Sequence, residues 1–398
     1  MERQKAELPI RVLHILGSIQ RGGTESVVFN NYQYIDRSKV QFDIAIDDNS
    51  PCEVPQNIID MGCRIYRIPP YTKQPAYIIA IREICLKNRY QIVHSHMNAM
   101  SIFPLFAVWL AKVPVRISHS HSTAAKGKGE TKRNIIKYVL RPFSKLFATH
   151  YFACSEHAAR WLFGNRVMEK GEVVTLNNAI SAKRFCYNLR TREEIRVQIG
   201  IKDKFVIGHV GRFSPPKNHD FLIDVFNEVI KIRDNAHLLL IGGIGSAGAG
   251  IEERVRKKLD SYGITDKVSF LGSMENISAF YQAMDVFILP SLYEGLGMAC
   301  IEAQASGLPC IMSDRIPKEV QINENVKFLS LYESAERWAY EVAESRGIRG
   351  DYSKQIASAG YDIIEVANTL QETYLGYKRI VGRKVESGKV AVISPDKC

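Results

Sequence analysis

A chain of 398 residues, 46% of them hydrophobic, has ample apolar content for a packed core and too much length for a single one, so two domains are expected. No apolar run approaches the roughly 20 residues that span a bilayer, which excludes a helical channel or transporter. The formal charge of +11 is uneven: residues 1–185 carry 26 Lys and Arg against 14 Asp and Glu, whereas residues 186–398 carry 27 against 28.

The opening stretch, MERQKAELPIRVLHIL, is a charged lead-in and a short apolar run. No long apolar region or cleavage site follows, so no signal peptide is expected. The eight cysteines form no CxxC pair and several lie inside apolar runs, which fits reduced thiols in a cytosol better than disulfides or a zinc site. From there short β-rich runs alternate with helical stretches. RVLHILG (11–17), FDIAID (42–47), CRIYRI (63–68), QIVHSH (91–96), VRISHSH (115–121), YFACS (151–155) and VVTLNNAI (173–180) read as strands, with a helix over 24–35. The apolar stretch 101–111 reads as a core helix. The cycle then restarts with strands FVIGHVGRF (205–213), AHLLLIGG (236–243), KVSFLG (267–272), DVFILP (285–290) and PCIMSD (309–314), and apolar residues at helical spacing over 219–232. Alternating strands and helices mean a parallel sheet covered on both faces, and two such series mean two doubly wound domains with ligands at the carboxyl ends of the strands. The charged segment 182–203 marks the junction, giving domains 1–185 and 186–365. The last fifteen or so residues read as a frayed tail.

Three segments fall where strands end. In GSIQRGGTES (17–26), Gly22 and Gly23 precede a helix with Thr24 as N-cap; such a pair lets backbone N–H groups approach an anion, or simply makes a tight turn. The GxGxxG dinucleotide spacing is missing. In GHVGRFSPPKNHDF (208–221), Arg212 can bind two oxygens of a diphosphate and Lys217 supplies a point charge. In YEGLGMACIEAQASG (293–307), the N–H groups of Gly297 and Met298 would face an anion. Glu294 would reach a group beyond the phosphates, and Glu302, more than a turn into the helix, suits paired hydroxyls. The two carboxylates would bracket a nucleotide sugar.

The combination of strand-GR-x(4)-KN, a GG loop after the next strand and PSLYEGLGMACIEAQASGLPCIMSD resembles the retaining glycosyltransferases of family four over nearly the whole chain. The paired Glu of that family are separated by seven residues, as Glu294 and Glu302 are. RVLHILGSIQRGGTESVVFNNY and PVRISHSHST look most like its bacterial exopolysaccharide and capsule branch. The resemblance implies an α/β, GT-B fold: two Rossmann-like domains facing each other across a cleft, an acceptor domain over 1–185, a donor domain over 186–365, and over 366–398 a helix crossing back to the first domain before the tail. It implies transfer of a sugar from a nucleotide donor, UDP-linked, to a polyprenyl-diphosphate-linked saccharide, with no metal or other cofactor. Arg212 and Lys217 would hold the donor diphosphate, Glu294 the sugar and Glu302 the ribose. Gly22 and Gly23 would close on the phosphates, and Gly243, Leu271, Gly295, Leu296, Gly297 and Met298 would complete the donor site. His121, with His119 second, would lie near the reacting sugar. Relatives often read GGxGP where this chain has GGIGSAGAG (242–250), which leaves base and donor preference open.

HSH occurs at 94–96 and again at 119–121, and alternate strand residues point the same way, so each pair could chelate a metal. No Asp, Glu or Cys follows at ligand spacing, which favours His94 and His96 as core or supporting histidines. From Lys112 to Lys145 nine basic residues face one acid, Glu130. This stretch, 112–147, is read as an anionic-membrane surface, which would make the enzyme peripheral on the inner face of the membrane, or as a helix whose apolar side is in the core. Its aromatic residues lie among Ile, Val and Leu, which speaks against nucleic acid. A sugar-nucleotide epimerase of the same fold, or a basic nucleic-acid-binding protein, are the alternatives.

Overall fold

The structure is a computed structural model that describes residues 8–19, 23–121, 131–244, 248–274, 276–346 and 349–386. The chain forms two compact units, residues 1–179 with 363–398, and residues 180–362.

The first unit holds a seven-stranded parallel sheet in the order β3-β2-β1-β4-β5-β6-β7. Its strands are β1 (Ile10–Gly17), β2 (Val40–Asp47), β3 (Arg64–Ile68), β4 (Ile92–Ser95), β5 (Val115–Ser120), β6 (His150–Ala153) and β7 (Val173–Thr175). A parallel sheet must be covered on both faces, so its strands are apolar on both. Val12, Phe42 and Ile44 pack under helix α1 (Gly23–Tyr34) and the long helix Ile363–Glu386, through Val28, Tyr32, Leu370 and Tyr374. Leu13, Ile15 and Ala45 face the other way, onto Ile81 and Val108. Helix α2 (Ile102–Leu110) buries Leu105, Ala107 and Val108 but leaves Trp109 48% exposed, so the stretch read as a core helix is one-sided. Helix α3 (Thr131–Leu140) gives way at Pro142 to a tight 3-10 turn, Arg141–Lys145, as the fixed φ and missing N–H of proline require.

The second unit holds a six-stranded parallel sheet in the order β10-β9-β8-β11-β12-β13. Its strands are β8 (Phe205–Val210), β9 (Ala236–Ile241), β10 (Val268–Gly272), β11 (Val286–Leu289), β12 (Cys310–Ser313) and β13 (Val326–Leu329). Helices α4 (His219–Ile232), α5 (Ala249–Tyr262), α6 (Ile277–Ala283) and α7 (Met298–Ala305) cover it. Residues 180–185, assigned to the first domain by sequence, belong here: Ala182 and Phe185 share a buried cluster with Tyr281 and Cys300. Asp285, just before β11, accepts from Arg192, from Arg196 at 2.6 Å and from the Val206 N–H at 2.7 Å, which ties the charged linker helix to the sheet.

In both sheets the strand order reverses beside the first strand, at β1/β4 and at β8/β11. Open α/β sheets form ligand crevices at such points, outside the carboxyl ends of the strands.

Candidate active site

In the second unit the loop after β8 and the loop after β11 flank that reversal and are bonded to each other. The Leu292 N–H donates to Pro216 O at 2.8 Å, and Asn218 Nδ2 donates to Pro290 O at 3.1 Å. Asn218 adopts φ +54°, a left-handed conformation that asparagine tolerates, and so turns the chain into α4. Lys217 is thereby aimed at the β11 loop, where its Nζ donates to Glu294 Oε1 at 2.7 Å. Gly211 makes room for it: a Cβ there would lie 2.7 Å from Lys217 Cε. Ser291 Oγ donates to the same Glu294 oxygen at 2.6 Å. The two charged side chains are only 17% and 13% exposed, so their pairing is well shielded from solvent. Arg212, on the same loop as Lys217, is exposed and has no ion pair among the described residues.

Gly297 stands at φ +89°, a conformation that costs most side chains dearly, and caps α7 without a side-chain hydrogen bond. The Cys300 N–H donates to Gly297 O at 2.9 Å, while the N–H groups of Met298 and Ala299 precede the helical ladder at the positive end of its dipole. One turn on, Glu302 Oε2 lies 2.8 Å from the Tyr281 hydroxyl, which donates to it. Desolvation raises the Glu302 carboxyl to about 7, against the opposing pull of the Tyr281 hydrogen bond and the Lys217 charge. Around this centre Gly295 is exposed and Met298 half-buried. Leu296 and Leu271 turn their side chains to the core cluster, so a ligand meets them chiefly through backbone. Gly243 lies after β9, its carbonyl accepting from the Phe213 N–H at 3.1 Å. The structure thus gathers Lys217, Glu294 and the α7 terminus around one reversal point, with Arg212 on the same loop and Glu302 further along the same helix. Asn218, Ser291 and Tyr281 were not singled out by sequence. The asparagine of KN was the one visible signal, since a hydroxyl's partner is set by tertiary geometry.

In the first unit Gly23 is the exposed first residue of α1, and Gly22 lies outside the described residues. The histidines form a larger assembly than two HSH pairs suggest. His14 on β1 is level with His94 on β4, so it joins them on one face of the sheet. His14 Nδ1 is 2.9 Å from His96 Nε2, and His96 Nδ1 is 2.7 Å from His121 Nε2. His94 bridges His119 Nδ1 at 3.0 Å and the Tyr374 hydroxyl at 2.6 Å. His14 Nε2, His119 Nε2 and His121 Nδ1 have no partner among the described residues. Burial lowers His14 and His121 to about 3 and drives the other three well below the ordinary range, so all five rings are neutral at pH 7. Two triads, His14/His94/His96 and His96/His119/His121, bring ring nitrogens within 4.8 Å of one another. The linked nitrogens, however, are at hydrogen-bond distance. That is closer than the roughly 3.3 Å between ligands around a tetrahedral ion, and His94/His96 and His119/His121 are stacked rather than converging in plane.

Comparison with known proteins gives the family. The family model described as Glycosyltransferase Family 4 matches residues 21–184, and that described as Glycosyl transferases group 1 matches residues 191–345. EpsF of Bacillus subtilis (strain 168) is 36% identical over 92% of this chain and 96% of its own length. The UDP-Gal:alpha-D-GlcNAc-diphosphoundecaprenol alpha-1,3-galactosyltransferase of Escherichia coli is 23% identical over 77% of this chain and 79% of its own. Among solved structures, Anabaena Alr3699/HepE in complex with UDP-glucose superposes with a TM-score of 0.75 at 17% identity, covering 92% of this chain and all of that one. WaaG, a glycosyltransferase of lipopolysaccharide biosynthesis, gives 0.62 at 13% identity over 92% of this chain and 95% of its own. The chain therefore belongs to the group 1, family 4 glycosyltransferases, and is a glycosyltransferase of the GT-B fold.

Proposed function

We propose that the enzyme transfers a sugar, with retention of anomeric configuration, from a UDP-sugar to a hydroxyl of a polyprenyl-diphosphate-linked saccharide in exopolysaccharide or capsule synthesis. The observation that carries this reading is the shielded Lys217–Glu294 pair, held between two cross-bonded loops at the carboxyl ends of β8 and β11. The UDP-glucose bound in the HepE structure and the undecaprenol-linked acceptor that the Escherichia coli relative is named for support the two substrate classes.

In this reading Arg212, Lys217 and the N-terminus of α7 offset the charge that grows on the departing diphosphate. Gly243 and the backbone of 295–298 and 271 line the nucleotide. Glu294, paired with Lys217, accepts from the sugar hydroxyls. Glu302 accepts from the ribose hydroxyls. The carboxylate of Glu294 already engages Lys217 and Ser291, which suits positioning better than nucleophilic attack. His121, whose pKa is lowered to about 3, is a weak base and stays neutral. The acceptor proton therefore passes to the leaving phosphate oxygen as the new glycosidic bond forms on the same face. No metal or other cofactor takes part. The test is a panel of nucleotide sugars scored first by thermal shift and then by transfer to lipid-linked acceptors, with the product anomer assigned by NMR. A retained anomer from a UDP-sugar supports the reading. Conversion of the nucleotide sugar without acceptor would instead indicate an epimerase.

A further inference from the structure

A neutral imidazole carries one N–H and one lone pair, so along a chain of hydrogen-bonded imidazoles the proton position on one ring fixes the next. The buried histidines of the first unit, all neutral, form two such chains. The first begins on the helix Ile363–Glu386. There the Tyr374 hydroxyl lies 2.6 Å from His94 Nδ1, and His94 Nε2 lies 3.0 Å from His119 Nδ1. Tyr374 is fully buried, and its hydroxyl has no other hydrogen-bond partner among the described residues. Its proton is therefore satisfied only by donation to His94 Nδ1, because the reverse arrangement strands an O–H in the core at the full desolvation cost of that group. With His94 Nδ1 accepting, the His94 proton is on Nε2 and donates to His119 Nδ1, which leaves the His119 proton on Nε2.

The second chain runs from His14 Nδ1 to His96 Nε2 at 2.9 Å and from His96 Nδ1 to His121 Nε2 at 2.7 Å. Its deep end is His14, whose Nε2 has no partner among the described residues and whose ring centroid is 4.0 Å from that of Phe42. Orphaned N–H groups are rarer in protein cores than orphaned acceptors, so the His14 proton belongs on Nδ1 and the bare lone pair on Nε2. His96 and His121 then carry theirs on Nδ1 in turn. Both chains end at the carboxyl end of β5, in the His119 and His121 rings stacked at 3.9 Å. Their terminal nitrogens, His119 Nε2 and His121 Nδ1, are without a partner among the described residues.

We infer that Tyr374 and His14 are positioning residues, which set the tautomers of His119 and His121 so that both rings present an N–H to an oxygen of the bound substrate. A hydroxyl or phosphate oxygen supplies the lone pairs that the protein withholds from these two donors. Donors oriented in advance need no rearrangement when charge develops on that oxygen. Neither Tyr374 nor His14 touches the substrate in this arrangement; each acts through one intervening ring, His94 or His96. The tautomers stand independently of the proposed reaction, whereas the role of the two N–H groups rests on it.

The test is nitrogen NMR of the whole chain labelled at its histidine rings, in which protonated and bare ring nitrogens resonate far apart. It is run on the parent, Tyr374→Phe, His14→Leu and His14→Asn, beside rates of transfer from a UDP-sugar to a lipid-linked acceptor. The parent should show His119 protonated on Nε2 and His121 on Nδ1. Tyr374→Phe, which keeps the ring and so the packing, should leave His119 a mixture of tautomers with His121 unchanged, and lower kcat/KM roughly fivefold, the worth of one hydrogen bond. His14→Leu should do the same to His121. His14→Asn, whose amide N–H can stand where Nδ1–H stands, should restore both the tautomer and the rate. A rise in KM for the UDP-sugar alone assigns the oxygen to the donor, and a rise for the acceptor alone assigns it to the acceptor. His119 protonated on Nδ1 or His121 on Nε2 in the parent, or parental tautomers in Tyr374→Phe and His14→Leu, would overturn the inference. Altered tautomers with parental kinetics would overturn the positioning role. A parent that transfers no sugar would overturn the proposed reaction and with it that role, while the spectra still decide the tautomers.

Discussion

At the scale of single residues, the proposed donor site is a set of charges whose positions are fixed by uncharged neighbours. Lys217, Glu294 and Glu302 were singled out in sequence by their positions after predicted strands and by the family resemblance. Their orienting partners were not. Tyr281 sits in an apolar helical run and gave no sign that its hydroxyl reaches Glu302. That bond lowers a carboxyl which burial would otherwise raise further. With a midpoint of about 7, the ionised Glu302, proposed to accept ribose hydroxyls, gains population as pH rises through neutrality. UDP affinity should therefore rise several-fold between pH 6 and 8. Tyr281→Phe should shift that midpoint upward and weaken binding at pH 7.5 by roughly fivefold to tenfold, the worth of one intramolecular hydrogen bond. Isothermal titration across the pH range would show it. A pH-independent Kd in both proteins would remove Glu302 from the ribose.

At the scale of elements, the strands were visible as short apolar runs, and the helix over 219–232 as a period. β13 was missed because Val326–Leu329 is only four residues with an exposed Lys327. The histidine assembly was half visible: HSH showed two alternate pairs, but the register that levels His14 with His94 belongs to the sheet. The same burial makes a stability prediction. The five rings are neutral when folded and would each take a proton near pH 6.5 when unfolded. A depressed folded pKa means that the unfolded chain binds more protons, so stability is lost as pH falls below about 6.5. The loss approaches roughly 1.4 kcal/mol per ring for each pH unit, an upper bound that is large beside a total of about 5–15 kcal/mol. Glu302 and Asp47, raised to about 7 and about 6, act in the opposite direction, but they stand against these five rings and against His150, His209, His219 and His237, which burial also lowers. Urea midpoints should fall clearly between pH 7.5 and pH 5.5. A midpoint that holds or rises would show that the rings are not kept neutral by the fold.

At the scale of the whole molecule, two parallel sheets followed from the repeated strand–helix cycle. The exit from the second unit did not follow from composition alone: the chain leaves it at Asp362 and the helix Ile363–Glu386 lies against α1, Gln371 accepting from the Asp36 N–H at 2.9 Å. In the proposed reading, fixed cations and a helix terminus rather than an ion offset the charge of the departing diphosphate. Treatment with EDTA should accordingly leave transfer within about twofold of the untreated rate. A loss restored by one divalent metal would reassign the histidines as ligands. The central claim is that Lys217 and Glu294 hold the reacting end of a nucleotide-sugar donor. It is tested most directly by measuring transfer of labelled sugar from a UDP-sugar to a lipid-linked acceptor by the parent, Lys217→Ala and Glu294→Ala, with folding checked by unfolding midpoint. Each substitution should slow transfer more than about 100-fold, or roughly 3 kcal/mol of transition-state stabilisation, while the fold survives. Near-parental turnover in either folded variant would contradict it.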